Sequence, residues 1–96
     1  MEISNETNTV TITGNIKSIN DLQVIISTID SVIASHKSII INIKDSISIT
    51  SSVLGYLNKL ILKDGININI NIGDDKLFSL LDDLNLTQIL KVRKIS

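Results

Sequence analysis

The feature that most constrains the fold of this chain is a segment in which isoleucine and asparagine alternate without a break. Residues 66–72 read Ile-Asn-Ile-Asn-Ile-Asn-Ile. Because successive side chains of a β-strand point to opposite faces, this period of two predicts a strand that buries isoleucines on one face only. The same repeat is also typical of aggregation-prone segments. Helical patterns on both sides of it favour an ordinary one-sided strand.

Two earlier segments show the same one-sided pattern. Thr9 to Thr13 alternates threonine with aliphatic residues and ends at Gly14, and Ile39 to Ile43 contains Asn42 between two isoleucines. Glu2 to Ser4 can form a preceding strand that turns back through residues 5–8, and Ile89 to Val92 can form a last one. Central strands covered by helices on both faces read as continuous apolar runs. Alternation therefore predicts helices on one face of the sheet.

Three amphipathic segments separate the predicted strands. A short polar side chain can cap each helix: Asn20 or Asp21 for the first, Thr50–Ser52 for the second, and Asp74 or Asp75 for the third. The first helix should end near Ser35 or His36, and the second at Asp64-Gly65. The apolar residues at helical spacing are Leu22, Ile25, Ile26, Ile29 and Ile33, then Leu54, Leu57, Leu60 and Ile61, then Leu77, Leu80, Leu81 and Leu84.

The order of elements predicts an α/β fold in a single domain over residues 1–96. Strands that are joined through helices are parallel, with right-handed crossovers. We therefore expect a two-layer βα superhelix, with a mixed sheet of four to five strands and all helices on one face.

Composition excludes several classes of function. The chain has no cysteine and a single histidine, so thiolate metal sites, disulfides and His clusters are excluded. Net charge is −1, and the basic residues Lys91, Arg93 and Lys94 are typical of a solvated chain end rather than a nucleic-acid surface. No apolar run approaches the roughly 20 residues that span a bilayer, and the first residues do not resemble a signal peptide. We expect a cytoplasmic protein with no metal or cofactor and no direct membrane insertion.

No arrangement of residues predicts catalysis. The Asp74-Asp75 pair fits a helix cap, and Asp82-Asp83 fits an exposed helix face. His36 fits a helix end or the surface and has no evident partner for nucleophilic chemistry. The chain is therefore predicted to be a binding module rather than an enzyme.

Three segments carry a family resemblance. Residues 10–16 read Val-Thr-Ile-Thr-Gly-Asn-Ile, residues 47–57 read Ile-Ser-Ile-Thr-Ser-Ser-Val-Leu-Gly-Tyr-Leu, and residues 80–92 hold the last helix and strand. In this order they resemble the STAS domain of bacterial anti-sigma factor antagonists. That family has a strand ending Leu-Thr-Gly-Glu-Leu, the signature Phe-x-Asp-Ser-Ser-Gly-Leu-Gly-x-Leu, and a closing Leu-x-x-x-Gly-Leu helix.

The chain departs from the signature at two positions. Leu54-Gly55-Tyr56-Leu57 sets the register, which places Thr50 at the signature aspartate and Val53 at the glycine. Asn85 stands at the late glycine, an exchange that is tolerated because asparagine also adopts the left-handed conformation. Only four residues follow Val92, so the family's usual C-terminal helix is expected to be absent.

The resemblance implies a partner-switching function. In the family, a partner kinase that is also the anti-sigma factor phosphorylates the first signature serine, which corresponds to Ser51, and phosphorylation releases the module. The implied partner surface comprises Thr50, Ser51, Ser52, Val53 and Tyr56. The alternative is a purely structural role, in which Thr50, Ser51 and Ser52 only cap a helix. Tyr56 can be either a contact residue or a filler of the core.

A second function is compatible with the same resemblance. Small cytoplasmic STAS subunits of membrane transport assemblies, of the lipid ABC transporter type, dock constitutively and need no phosphate. The expected partner is therefore either a serine-kinase anti-sigma factor or a transporter subunit. Pairing of two copies through an apolar patch near the C-terminal end is a further possibility.

Overall fold

The computed structural model describes residues 1–95 as a five-stranded mixed sheet with three helices. The strands are β1 (Glu2–Glu6), β2 (Thr9–Thr13), β3 (Ser38–Ile43), β4 (Asn67–Ile72) and β5 (Val92–Lys94), and the helices are α1 (Ile19–Ile33), α2 (Ser51–Leu62) and α3 (Asp75–Asp83). The spatial order of the strands equals their order in sequence. β1 pairs antiparallel with β2, and the other pairs are parallel.

The register of the sheet aligns the buried isoleucines. Ile70 of β4 lies between Ile41 of β3 and Val92 of β5. On the opposite face, Asn71 donates a hydrogen bond of 2.8 Å to the side chain of its β3 partner Asn42. The alternation in the sequence thus separates a core face from a polar face.

All three helices pack against the core face. Ile25 and Ile29 of α1, Leu57 of α2, and Leu77 and Leu81 of α3 belong to the same buried cluster as the strand isoleucines. The threonines and asparagines of the opposite face are only half-buried or exposed. The predicted two-layer α/β arrangement, with a mixed sheet of five strands, is therefore confirmed.

The predicted start of α1 was wrong. Ser18, rather than Asn20 or Asp21, is the N-cap, and its hydroxyl accepts a hydrogen bond of 3.1 Å from the Asp21 amide. The Asp21 carboxylate in turn accepts from the amides of Lys17 and Ser18, which completes a capping box. These hydrogen bonds lower the pKa of Asp21 below its ordinary value. The helix ends at Ile33, earlier than predicted.

The predicted last strand was also misplaced. Residues 87–91 form turns, and β5 begins only at Val92, whose amide donates to the Thr87 carbonyl at 2.8 Å. Leu90 is buried in the core although it lies in these turns. The apolar residues of this segment therefore resemble a strand in the sequence. Asn85 has a φ of 59°, the left-handed conformation that asparagine adopts more readily than most residues.

The first hairpin is longer than predicted. β1 extends to Glu6, so only two residues connect it to β2. Thr7, in this connection, has a φ of 55°. The predicted turn over residues 5–8 was therefore too wide.

Candidate functional site at the N-terminal end of α2

The N-terminal end of α2 lies where the parallel strands end. The carboxyl ends of β2, β3 and β4 lie at the same end of the sheet, because these strands are parallel. The connections that leave the strands at this end lead into α1, α2 and α3.

Thr50 supplies the cap of α2. Its backbone is extended, and its hydroxyl accepts a hydrogen bond of 3.2 Å from the Val53 amide. Ser51 and Ser52 are the first two helical residues, and both are exposed. Among the described residues, neither serine hydroxyl makes a hydrogen bond within the chain. Capping is therefore performed by Thr50, and the hydroxyls of Ser51 and Ser52 remain available to other molecules.

The start of α2 differs in charge from the starts of the other two helices. α1 carries Asp21 and α3 carries Asp75 in the first turn, whereas α2 has no acidic residue there. The first amides of a helix lack intrahelical acceptors, and the helix dipole favours negative charge at this end. An anionic group on Ser51 would meet no carboxylate within the first turn of its own helix.

A buried serine holds the loop that leads into α2. The hydroxyl of Ser46 is fully buried; it donates to the Ser48 carbonyl at 2.6 Å and accepts from the Ile16 amide at 3.1 Å. One side chain thus joins the β3–α2 loop to the loop that precedes α1. Sequence reasoning missed Ser46, because serine in a loop gives no signal of burial.

Two further side chains fasten the same pair of loops. Asp45 accepts a hydrogen bond of 2.6 Å from the Gly14 amide, and Asn15 accepts one of 3.0 Å from the Ile47 amide. Gly14 has a φ of 82°, which a residue without a side chain adopts at little cost. The position of Thr50–Ser52 is therefore set by contacts between loops as well as by the helix itself.

We expect Ser46→Ala to lower the free energy of unfolding by about 1–3 kcal/mol, because the Ile16 amide loses its acceptor inside the protein. Urea denaturation monitored by circular dichroism measures this loss. Ser48→Ala is the matched control, since Ser48 is exposed and its hydroxyl makes only a 3.4 Å contact with the Ile16 carbonyl. Equal effects of the two substitutions would contradict the assigned role of Ser46.

A shallow groove separates the N-terminal ends of α1 and α2. Its lining includes Lys17, Ile19 and Leu22 from the α1 side, and Thr50 and Ser52 from the α2 side. Ile19 is 74% exposed, and Ile47 in the β3–α2 loop is 52% exposed. The surface beside the serines therefore combines apolar side chains with one lysine.

The five predicted contact residues do not all lie on the surface. Thr50, Ser51 and Ser52 are together at the start of α2, but Val53 is only 2% exposed and belongs to the core. Val53 cannot offer its side chain to a partner, so its inclusion in the contact surface is corrected. An apolar residue at this helix position faces the sheet.

Tyr56 packs against the core but is not fully covered. It is half-buried against the core, and its hydroxyl donates a hydrogen bond of 2.6 Å to Asp30 of α1. Burial raises the pKa of the Tyr56 phenol well above its ordinary value, and the hydrogen bond to Asp30 and the negative charge of that residue raise it further. Tyr56 therefore links α2 to α1 while leaving part of its ring accessible.

Tyr56 is the only tyrosine, and the chain has no tryptophan, so its ionisation can be followed by near-ultraviolet absorbance. We expect the folded protein to titrate above the ordinary value of about 10. Because the folded state holds the phenolic proton more tightly, this residue's stabilising contribution is complete below that pH and decreases as pH rises. Wild type should thus lose more stability than Tyr56→Phe above about pH 10. Titration at the ordinary value would contradict the contact with Asp30.

Comparisons with protein-family models, with curated proteins and with solved structures find no match to this chain. Within residues 1–95, no group of three or more His, Cys, Asp or Glu side chains could hold a metal ion. No helix in this range is both long and apolar enough to cross a membrane.

Proposed function

We propose that this chain is a non-enzymatic binding module of the STAS type that exchanges protein partners through phosphorylation of Ser51. The observation that carries the proposal is that the helix cap and the exposed serine hydroxyl at the start of α2 belong to different residues. Thr50 caps the helix, and Ser51 presents an exposed hydroxyl at the first helical position. A kinase can reach this hydroxyl without unwinding the helix.

Several features of the fold support the STAS assignment. The strands follow one another in spatial order, β1 is antiparallel, and the helices cover one face. These features agree with the two-layer βα superhelix that the resemblance implies. The left-handed Asn85 at the late glycine position agrees with the same family pattern.

The proposed switch acts by charge at the contact surface. A phosphate adds about −1.5 to −2 charges at the start of α2, next to the groove that contains the exposed side chain of Ile19. A partner that docks over this helix end would have to bury that charge, which is costly unless a cation pairs with it. Phosphorylation therefore releases the partner while the fold persists.

A constitutive docking subunit of a transport assembly is the second candidate function. It is favoured by Thr50, which replaces the signature aspartate, together with the apolar exposure of Ile19 and Ile47. Such a module would bind the cytoplasmic part of its assembly without any phosphate.

Phosphosite mapping of the protein from cells that express it naturally separates the two candidates. The switch predicts phosphate on Ser51 that disappears in Ser51→Ala, whereas Ser52→Ala serves as the matched control. Recovery of the same transporter ATPase with wild type and with Ser51→Ala, and no phosphate at residues 50–52, would instead support the docking subunit and contradict the switch.

A stability measurement checks that charge at Ser51 is compatible with the fold. Ser51→Asp should raise the free energy of unfolding by about 0.3–1 kcal/mol relative to Ser51→Asn, because only aspartate places a negative charge on the positive end of the helix dipole. Thermal unfolding at low salt measures the difference. A lower stability of the aspartate variant would contradict the proposed electrostatics of this helix end.

A further inference from the structure

The two edges of the sheet carry opposite charges. β1 forms one edge, with exposed Glu2 and Glu6, and β5 forms the other, with exposed Arg93. The register places these three side chains on the polar face. Within residues 1–95, no strand pairs with the outer side of either edge.

The backbone of β1 directs specific groups outward. The carbonyls of Asn8 and Ile12 accept hydrogen bonds from β3 and the residue that follows it, so even-numbered residues of β2 face β3. Its odd-numbered residues then face β1, where they pair with Glu2, Ser4 and Glu6. The amides and carbonyls of Ile3 and Asn5 are consequently left on the outer side of the sheet.

The same reasoning applies to β5. The Lys91 carbonyl accepts from the Ile70 amide, and the Ile95 amide donates to the Ile72 carbonyl, so odd-numbered residues face β4. Val92 and Lys94 are directed outward, although the Val92 amide already donates to Thr87. The Val92 carbonyl and both backbone groups of Lys94 remain on the outer side.

We propose that the β1 edge of one copy of this chain pairs antiparallel with the β5 edge of another. Lys94 would lie opposite Ile3, and Val92 opposite Asn5. Ile3 and Lys94 can exchange two backbone hydrogen bonds, and the Asn5 amide can donate to the Val92 carbonyl, since the Val92 amide is engaged by Thr87. All four residues lie on the helix side of their sheets. The joined sheet therefore keeps its helices on one face.

This register brings the opposite charges together. Arg93 lies opposite Ser4 of the second copy, and diagonal neighbours across an antiparallel pair are within reach of long side chains. Glu2 and Glu6 of that copy therefore flank the guanidinium on both sides. Pairing of like edges would instead oppose glutamate with glutamate or arginine with arginine, which is destabilising.

The contact is head-to-tail, so each copy keeps one edge available for the next. Such heterologous contacts give open chains of copies when the rotation does not close. The β5 edge is short, and exposed ion pairs are screened by salt. The association is therefore weak, concentration-dependent and sensitive to ionic strength.

Sedimentation velocity of the full chain tests the proposal at concentrations up to about 1 mM, where small interfaces become populated. The weight-average sedimentation coefficient should rise with concentration at low salt and fall back towards the monomer value when salt is added. Arg93→Glu and the double variant Glu2→Lys/Glu6→Lys should each weaken association at least about tenfold. Lys63→Glu, an exposed site at the end of α2 with the same charge change as Arg93→Glu, should leave it unchanged.

Mixing the two charge-reversed variants gives the sharpest outcome. Both edges of each variant complement an edge of the other, so an equimolar mixture should associate again. At high concentration of the wild type, amide exchange should slow at Ile3, Asn5 and Lys94 but not at Arg93, whose amide already faces β4. The proposal is overturned if the wild type stays monomeric or if the mixed variants stay monomeric. It is also overturned if the charge reversals weaken association no more than Lys63→Glu does.

Circular dichroism establishes that each variant is folded before it is compared. If a charge-reversed variant unfolds, the amide-exchange pattern of the wild type decides alone. Protection confined to other residues would then contradict the pairing of these edges.

Discussion

Gly73→Ala is expected to lower the free energy of unfolding by about 3 kcal/mol or more, a large part of the total for a domain of this size. A Cβ atom at Gly73 would lie 2.1 Å from the Lys44 carbonyl oxygen. This oxygen belongs to the backbone just after β3 and cannot move aside as a flexible side chain can. The Gly73 amide also donates to the Ile43 carbonyl at 2.9 Å, so the two strand ends cannot separate without losing that bond.

Gly55→Ala is the matched control for this prediction. Gly55 lies within α2, and a Cβ there meets nothing within 4 Å. Alanine is the better helix former, so this variant should be stabilised by about 0.5–1 kcal/mol. Urea denaturation of both variants checks the pair. A well-folded Gly73→Ala protein with near-normal stability would contradict the close approach of the β3 and β4 ends.

Ile70→Asn is expected to unfold the protein or to cost about 4 kcal/mol or more, because it removes a buried aliphatic side chain and buries an amide without a partner. Ile70 is only 1% exposed and lies in the middle of the core face. The loss should appear both in thermal unfolding and as increased binding of a hydrophobic dye.

Asn69→Ile is the matched control, because it makes the reverse exchange at the adjacent residue of the same strand. Asn69 is half-buried and stands on the polar face. Its replacement should change stability by no more than about 0.5 kcal/mol. Similar losses in the two variants would mean that both faces of the sheet are covered, which would contradict the two-layer fold.

The alternation of isoleucine with polar residues made most of the fold predictable. In β2 and β4, the period of two identified the strands and the face on which the helices pack, whereas Ile40 breaks the alternation in β3 because it lies on the polar face. The ends of elements were less predictable, because local hydrogen bonds decide them. Ser18 and Asp21 divide the capping of α1 between them, and a pattern of apolar residues carries no information about that division.

The candidate site was predictable in position but not in its details. Thr50–Ser52 open α2 as expected, since short polar residues before an apolar helix are a strong signal. Which of the three residues caps the helix depends on the entry angle of the loop. That angle is set by the buried hydroxyl of Ser46 and by long-range contacts of Asp45 and Asn15, which have no periodic signature in the sequence.

The burial of Val53 has a similar explanation. The family register treats it as part of the signature, whereas its place on α2 directs it to the core with Leu57 and Leu60. Helical spacing from Leu57 could have revealed this, because residues four apart lie on one face. The register taken from the resemblance concealed it.

The most direct test is the affinity of the chain for its isolated native partner, measured with stoichiometric phosphoserine at position 51 and, as the control, at position 52. We predict that phosphate at Ser51 weakens binding at least about tenfold, that phosphate at Ser52 weakens it less, and that both proteins keep the amide spectrum of the unmodified fold. Unchanged affinity with phosphate at Ser51, or loss of the folded spectrum, would contradict the proposal that Ser51 switches a docking surface on an intact helix.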